Sequence, residues 1–212
     1  VIIGTLIAAS SSLLPHAIAR LKAQAPQVIV TLRVGQMDQL LPILATGDLD
    51  LVVGRIPDDQ SWRASAQTVA AETLYRDELC VVAGRQHPQA KKKALGLHDL
   101  AGCPWILPTT DSSLRKTADR LFAQAGLPPP DNLVESMSVL TNLTLLSDFK
   151  TCAFMPRTIA MPFVESGMLS VLPVKGLDVF GDIGFFHRPS HSQGPAVELF
   201  KTCLREAVRE VI

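Results

Sequence analysis

No Cys-x-x-Cys pair occurs among the four cysteines, Cys80, Cys103, Cys152 and Cys203. Zinc-ribbon and thioredoxin-type chemistry therefore have no sequence support, no metal site is expected, and the expectation is buried, reduced thiols in a cytoplasmic protein. Charge of one sign is equally scarce. Twenty Lys+Arg balance twenty Asp+Glu, with no basic run beyond Lys91-Lys92-Lys93, so this segment has no surface that tracks a phosphate backbone by charge. Gly-x-Ser-x-Gly is absent, which removes the nucleophile elbow of a hydrolase. Gly-x-Gly-x-x-Gly after the first strand and the phosphate-cradling Gly-Lys-Ser/Thr are absent too, so no cofactor is expected. The five histidines, His16, His87, His98, His187 and His191, are scattered and read as solvated or capping residues. Without paired acid–base groups, no enzyme is expected.

What the chain does have is 47% hydrophobic residues over 212 positions, enough for well-packed cores. The uncharged run from Val1 to Pro15 is interrupted by serines and continues as an amphipathic pattern, which argues against a membrane span or a signal peptide. The chain opens on Val1, inside a strand and without a methionine, as expected of a segment whose upstream part lies elsewhere.

Periodicity supplies the architecture. Val1 to Ile7 is the near-continuous apolar run of a strand buried on both faces, and from Ser12 apolar residues recur at helical spacing as far as Leu21 and Ala25, with Pro26 as the stop. Val28 to Val34 reads as a second strand, Met37 to Ala45 as a second helix ended by Gly47, and Leu49 to Val53 as a third strand. This β-α-β-α-β order predicts a parallel, doubly wound α/β sheet. A strand near Gln67 to Thr73 leads into a further set. Strands are expected at Leu79 to Ala83, 105–107, Leu133 to Ser136, 152–155 and Asp182 to His187, with helices at Leu114 to Ala125, Val139 to Leu146, Pro156 to Glu165 and Pro195 to Val211.

In open parallel sheets, ligands bind beyond the carboxyl ends of the strands. Ser10, Ser11 and Ser12 stand there, where the free N–H groups at a helix start attract an anion. Hydroxyl-rich helix starts recur at Thr109, Thr110 and Ser112, and at Ser136-Met137-Ser138. The plainer alternative for each is ordinary helix capping. Arg55, at the end of the third strand, can hold a carboxylate or sulfonate through paired hydrogen bonds, while Gln36 and Met37 open the second helix on the same rim. Asp48 and Asp50, flanking Leu49 at a strand entrance, read as structural.

The chain resembles the effector-binding domain of LysR-type transcriptional regulators. The likeness rests on Ile3-Gly4 to Leu13-Leu14-Pro15 before a helix, on the run from Gly47 to Gly54, on His87-Pro88, on Asp99-Leu100-Ala101-Gly102 before Pro104-Trp105-Ile106, and on Phe154-Met155-Pro156-Arg157. It implies two Rossmann-like lobes with a central cleft, the periplasmic-binding-protein-like (type 2) arrangement, with lobe I at 1–75 and 188–212 and lobe II at 76–187. It implies a small effector in the cleft, a carboxylate, sulfonate or sugar, and a homodimer that in the full protein either stands alone or joins into a homotetramer. DNA would be reached through a winged helix-turn-helix preceding Val1. Carried over by position, effector contacts fall at the first strand–helix junction including Ala8, at Gln36, Arg55, Thr109 and Thr110, and at Phe154 and Pro156. Ala8 and Gln36 depart from the Ser or Thr common in the family. A solute-binding receptor of a transport system is the alternative on the same lobes.

Overall fold

The computed structural model describes residues 1–6, 12–58, 62, 68–177, 179–189 and 193–212. The described chain forms two units, Val1–Asp77 with Gly181–Ile212, and Glu78–Phe180. The division differs from the one expected at residue 187: residues 181–187 belong to the first unit, because they lie on a strand hydrogen-bonded to that unit's third strand.

In the first unit β1 (Ile2–Thr5) pairs in parallel with β2 (Thr31–Val34) on one side and with β3 (Leu51–Arg55) on the other. β9 (Val179–His187) runs antiparallel to β3, with Val52 opposite Phe186 and Val53 opposite Phe185. The first part of β4 (Ala70–Gly84) follows beside β9. Ile3, Leu51, Val52 and Val53 are fully buried, the burial on both faces that the unbroken apolar runs foretold. Alternation sends Val52 and Phe186 to one face, where they meet Leu40, Leu41 and Leu44 of α2 (Met37–Thr46), and Trp62 packs edge-on to Phe186 at 5.0 Å. α1 (Leu13–Gln24) packs along α6 (Pro195–Ala207) through Leu14, Ala17 and Leu21 on one helix and Phe200, Cys203 and Leu204 on the other, all fully buried. At the rim of that pair Arg20 reaches Glu206 and Glu210, and His16 Nδ1 lies 2.7 Å from Glu210.

β2 is shorter than the predicted Val28 to Val34 and exposed along its length, with Ile29 79% exposed ahead of it. Its side chains cover no core, so its apolar content overstated its extent.

The two strands expected near Gln67 to Thr73 and at Leu79 to Ala83 are one strand, β4, of 15 residues. The apolar pattern breaks at Arg76 and Glu78 because those side chains face solvent while Tyr75, Asp77 and Leu79 are buried. Strict alternation across a polar stretch is what a strand crossing from one unit to the other requires. Arg76 Nε donates to Asp182 of β9 at 2.9 Å.

In the second unit β5 (Trp105–Leu107) lies between β6 (Leu133–Glu135) and β7 (Cys152–Pro156), parallel to both. The end of β4 is antiparallel to β7 and to β8 (Leu169–Leu172), a strand the periodicity did not announce. Helices α3 (Ser113–Gln124), α4 (Val139–Asp148) and α5 (Arg157–Glu165) pack on this sheet. One face collects Val82, Ile106, Leu143, Leu146 and Ala153; another centre joins Trp105, Phe122 and Phe154, the first and last stacked at 5.0 Å and Phe122 edge-on to both. Trp105 Nε1 donates to Leu100 O at 3.1 Å, satisfying the one polar atom of that buried ring.

Two expectations for stability follow. A Cβ at Gly84 would stand 2.2 Å from Leu146 O, whereas at Gly102 it would meet nothing within 4 Å. Gly84→Ala is therefore expected to cost at least about 2 kcal/mol in urea unfolding and Gly102→Ala close to nothing. In the first unit Arg205 donates to both oxygens of Glu72, at 2.6 and 2.8 Å, and that hydrogen bonding holds the Glu72 carboxyl below its ordinary value of 4.5. A carboxyl with a lowered folded-state pKa contributes stability above its ordinary pKa and loses it as pH falls through the lowered value. The stability gap between the parent and Arg205→Gln should hold constant near neutrality and close below pH 4.5, read by denaturation at a series of pH values.

Candidate functional site

Each unit presents one edge at which parallel strands end and helices begin. In the first, β1, β2 and β3 end side by side, tied by Gly35 N–H to Thr5 O at 3.1 Å and Leu6 N–H to Val53 O at 3.3 Å. Ala8, Ser10 and Ser11 lie outside the described residues. Ser12 stands directly before α1 with φ −123° and ψ −81°, and its side chain does not cap the helix. Its Oγ is buried and has no hydrogen-bond partner among the described residues. Such a hydroxyl costs free energy unless something supplies its missing bond.

Gln36 is the residue before α2, and its N–H donates to Gln39 Oε1 at 3.3 Å, a backbone cap. Met37 is half-buried and packs against the Leu40–Phe186 core, so its apolar surface is largely spent there. Arg55 closes β3 with its side chain 19% exposed, and its Nη2 donates at 2.9 Å to Asp58, whose side chain is 72% exposed. Gly181 supplies the seat: its φ of +127° favours glycine, and a Cβ there would lie 2.6 Å from Arg55 Nε. The guanidinium thus already holds a carboxylate, the chain's own. Asp50 accepts from Ile2 N–H at 2.8 Å at the opposite end of the strands, the structural role expected of it.

The edge of the second unit is built alike but differently satisfied. Ser112 Oγ accepts from Leu114 N–H at 3.2 Å and caps α3. The Thr109 hydroxyl beside Asp111 holds that carboxyl below its usual range. Thr110 is exposed at the turn. Ser138 Oγ accepts from Thr141 N–H at 3.3 Å to cap α4, and Ser136 Oγ accepts from Ser138 N–H at 3.1 Å around the half-buried Met137. Pro156, buried at the end of β7, directs the chain into α5. Phe154, for which core packing is the favoured reading beside the effector contact that the resemblance implies, is 3% exposed and held between Trp105 and Phe122.

Arg115 was missed by sequence reasoning. With its side chain 10% exposed, it donates to Asp119 at 2.9 Å and to Pro108 O at 3.0 Å, and it also reaches Glu135, clamping the turn after β5 to the end of β6. Only the i,i+4 spacing to Asp119 could have signalled it.

With this geometry in place, comparison with known proteins is informative. The model of the LysR substrate binding domain matches residues 1–209, and the chain belongs to that family. Among curated relatives, the HTH-type transcriptional regulator GalR of Pseudomonas putida is 33% identical over 211 residues, covering 98% of this chain and 51% of the relative. The chain thus spans about half the length of that relative. The effector-binding domain of BenM with its effector benzoate superposes with TM-score 0.75 at 20% identity, covering 99% of this chain and 92% of that one. The effector-binding domain of QuiR in complex with shikimate superposes with TM-score 0.69 at 20% identity, covering 99% and 97%. The fold is the periplasmic-binding-protein-like (type 2) arrangement. The relatives are transcriptional regulators rather than enzymes or transport receptors, and among the described residues no helix is long and apolar enough to cross a membrane.

Capping and ligand roles separate by stability. Ser112→Ala removes a satisfied cap and should cost about 1 kcal/mol, whereas Ser12→Ala deletes an unsatisfied buried hydroxyl and should be neutral or stabilising in the ligand-free protein. Urea unfolding of both variants measures the difference, and equal losses would make Ser12 an ordinary cap.

Proposed function

We propose that this chain is the effector-sensing part of a cytoplasmic, DNA-binding transcriptional regulator, and that it takes a small carboxylate at the carboxyl edge of β1 to β3. Family membership supports the regulator reading. One observation carries the ligand reading: the buried Ser12 Oγ, unpartnered among the described residues, opens a helix on the same sheet edge as the Arg55 guanidinium. A helix start offers N–H donors and positive potential, and a guanidinium offers a planar donor pair, so the chemistry that satisfies both is an anion with acceptor oxygens. Benzoate and shikimate, each bound by a similar domain, carry such a group. Asp58 on Arg55 then acts as a stand-in, exposed enough for an incoming carboxylate to replace it.

In this reading the effector shifts a conformational population in a homodimer, and the DNA-binding part outside this chain responds. Gln36 and Met37 shape the neighbourhood at this edge; Ser12 and Arg55 supply the binding energy.

A thermal-shift screen of small carboxylates, sulfonates and sugars tests the class, with the carboxylates expected to raise the melting temperature. Calorimetry with the best compound should then show Ser12→Ala and Arg55→Ala each weakening binding at least tenfold, about 1.4 kcal/mol, with the melting temperature of the free protein little changed. A panel without a single stabilising carboxylate, or affinities indifferent to both substitutions, would sink the reading.

A further inference from the structure

Away from the ligand edge described above, the second unit brings three soft donors together. His87, Cys103 and Cys152 place one ring nitrogen and two sulfurs within 4.8 Å of one another. No other group of three such ligands occurs among the described residues.

Each donor is set by backbone rather than by chance packing. His87 precedes the 3-10 turn Pro88–Lys91, and its Nδ1 accepts from Gln89 N–H at 3.2 Å, which turns Nε2 toward Cys152 Sγ at 3.7 Å. Cys152 opens β7 opposite Trp105, and its N–H donates to Pro104 O at 2.9 Å, which brings the Cys103 turn alongside. Cys103 N–H in turn donates to Leu100 O at 3.0 Å. Cys152 is fully buried and His87 is 6% exposed, while Cys103 is half-buried and forms the open side.

We propose that His87, Cys103 and Cys152 form a binding site for a thiophilic metal ion, Zn²⁺ or Cu⁺. Tetrahedral zinc with sulfur at about 2.3 Å and nitrogen at about 2.0 Å has ligand–ligand edges of about 3.5 to 3.8 Å, and the observed 3.7 Å between nitrogen and sulfur lies in that span. Two thiolates and a neutral imidazole balance the charge of Zn²⁺. With Cu⁺ the set carries one negative charge. Binding releases both thiol protons to solvent. It also moves the ring proton from Nε2 to Nδ1, at the expense of the long Gln89 hydrogen bond and of the bond the ring makes to the Lys150 backbone. The half-buried Cys103 provides the entry path, and a water completes the fourth position.

The test uses the reduced chain. Co²⁺ serves as a spectroscopic stand-in for zinc, and competition against a chromophoric chelator gives affinity, once with Zn²⁺ and once, anaerobically, with Cu⁺. The expected result is one ion per chain with a thiolate-to-cobalt charge-transfer band, an affinity at least a hundredfold lower in Cys103→Ser, and a smaller loss in His87→Gln. Cys203→Ala, away from the site, should leave uptake unchanged, and circular dichroism confirms that each variant is folded. Uptake equal in Cys103→Ser, uptake only at metal concentrations far above that of the protein, or a chain that forms a Cys103–Cys152 disulfide on oxidation yet takes no metal when reduced, would overturn the proposal.

Discussion

A parallel strand flanked by two others has neither a wet edge nor a wet face, so its side chains stay apolar until the sheet ends. β1 obeys this constraint between β2 and β3, and the first polar chemistry the chain can place lies where those strands stop. Helices start at the same line, and their first N–H groups have no partners within the helix. Polarity that the core excludes is thereby concentrated at one edge of each unit. The candidate site follows from the pairing of the sheet before any individual side chain is considered.

The two edges use that polarity in opposite ways. In the second unit the hydroxyls at the helix starts mostly have work inside the fold: Ser112 and Ser138 cap, Ser136 closes a turn and Thr109 binds Asp111. Arg115 locks that edge further by holding Pro108 O and two carboxylates. In the first unit Ser12 is buried without a bond among the described residues, and Arg55 is matched by a carboxylate on an exposed turn. A satisfied edge is rigid and indifferent to solutes, whereas an unsatisfied one has free energy to gain by binding. That contrast, more than the number of hydroxyls, separates a ligand surface from a row of caps.

Most of the fold was legible because burial writes itself into period. Strands buried on both faces produced unbroken apolar runs, and α1, α2, α3 and α6 carried their stripes at helical spacing with Pro26, Gly47 and Gly126 as stops. Legibility failed where burial does not set composition. β4 changes units midway, so Arg76 and Glu78 interrupted its pattern and one strand read as two. β8 is short and pairs only at the end of β4, leaving nothing for period to mark. At the candidate site the sequence could place Ser12, Arg55 and Ser112 on strand ends, but hydrogen-bond satisfaction is a property of coordinates. Phe154 shows the same limit from the other side: position left a core role and a contact both open with the core favoured, and the Trp105–Phe122 stack holds it in the core.

The grouping of His87, Cys103 and Cys152 was invisible for a related reason. Metal motifs are recognised when two ligands share a turn, because a short loop fixes their separation; here each ligand lies on a different segment and the sheet register fixes it instead. Trp105 opposite Cys152 determines where Cys103 falls, and the cap that His87 makes at Gln89 determines which ring nitrogen faces the sulfurs. The two cysteine positions do not require sulfur for their own stability. Cys152 buries a thiol beside another thiol and gains no strong hydrogen bond from it, a position an alanine or valine could fill as the neighbouring Ala153 does on the opposite face. Two thiols at positions that would tolerate apolar residues, beside an imidazole turned toward them by its own cap, form an arrangement whose distinguishing chemistry is directed at a ligand.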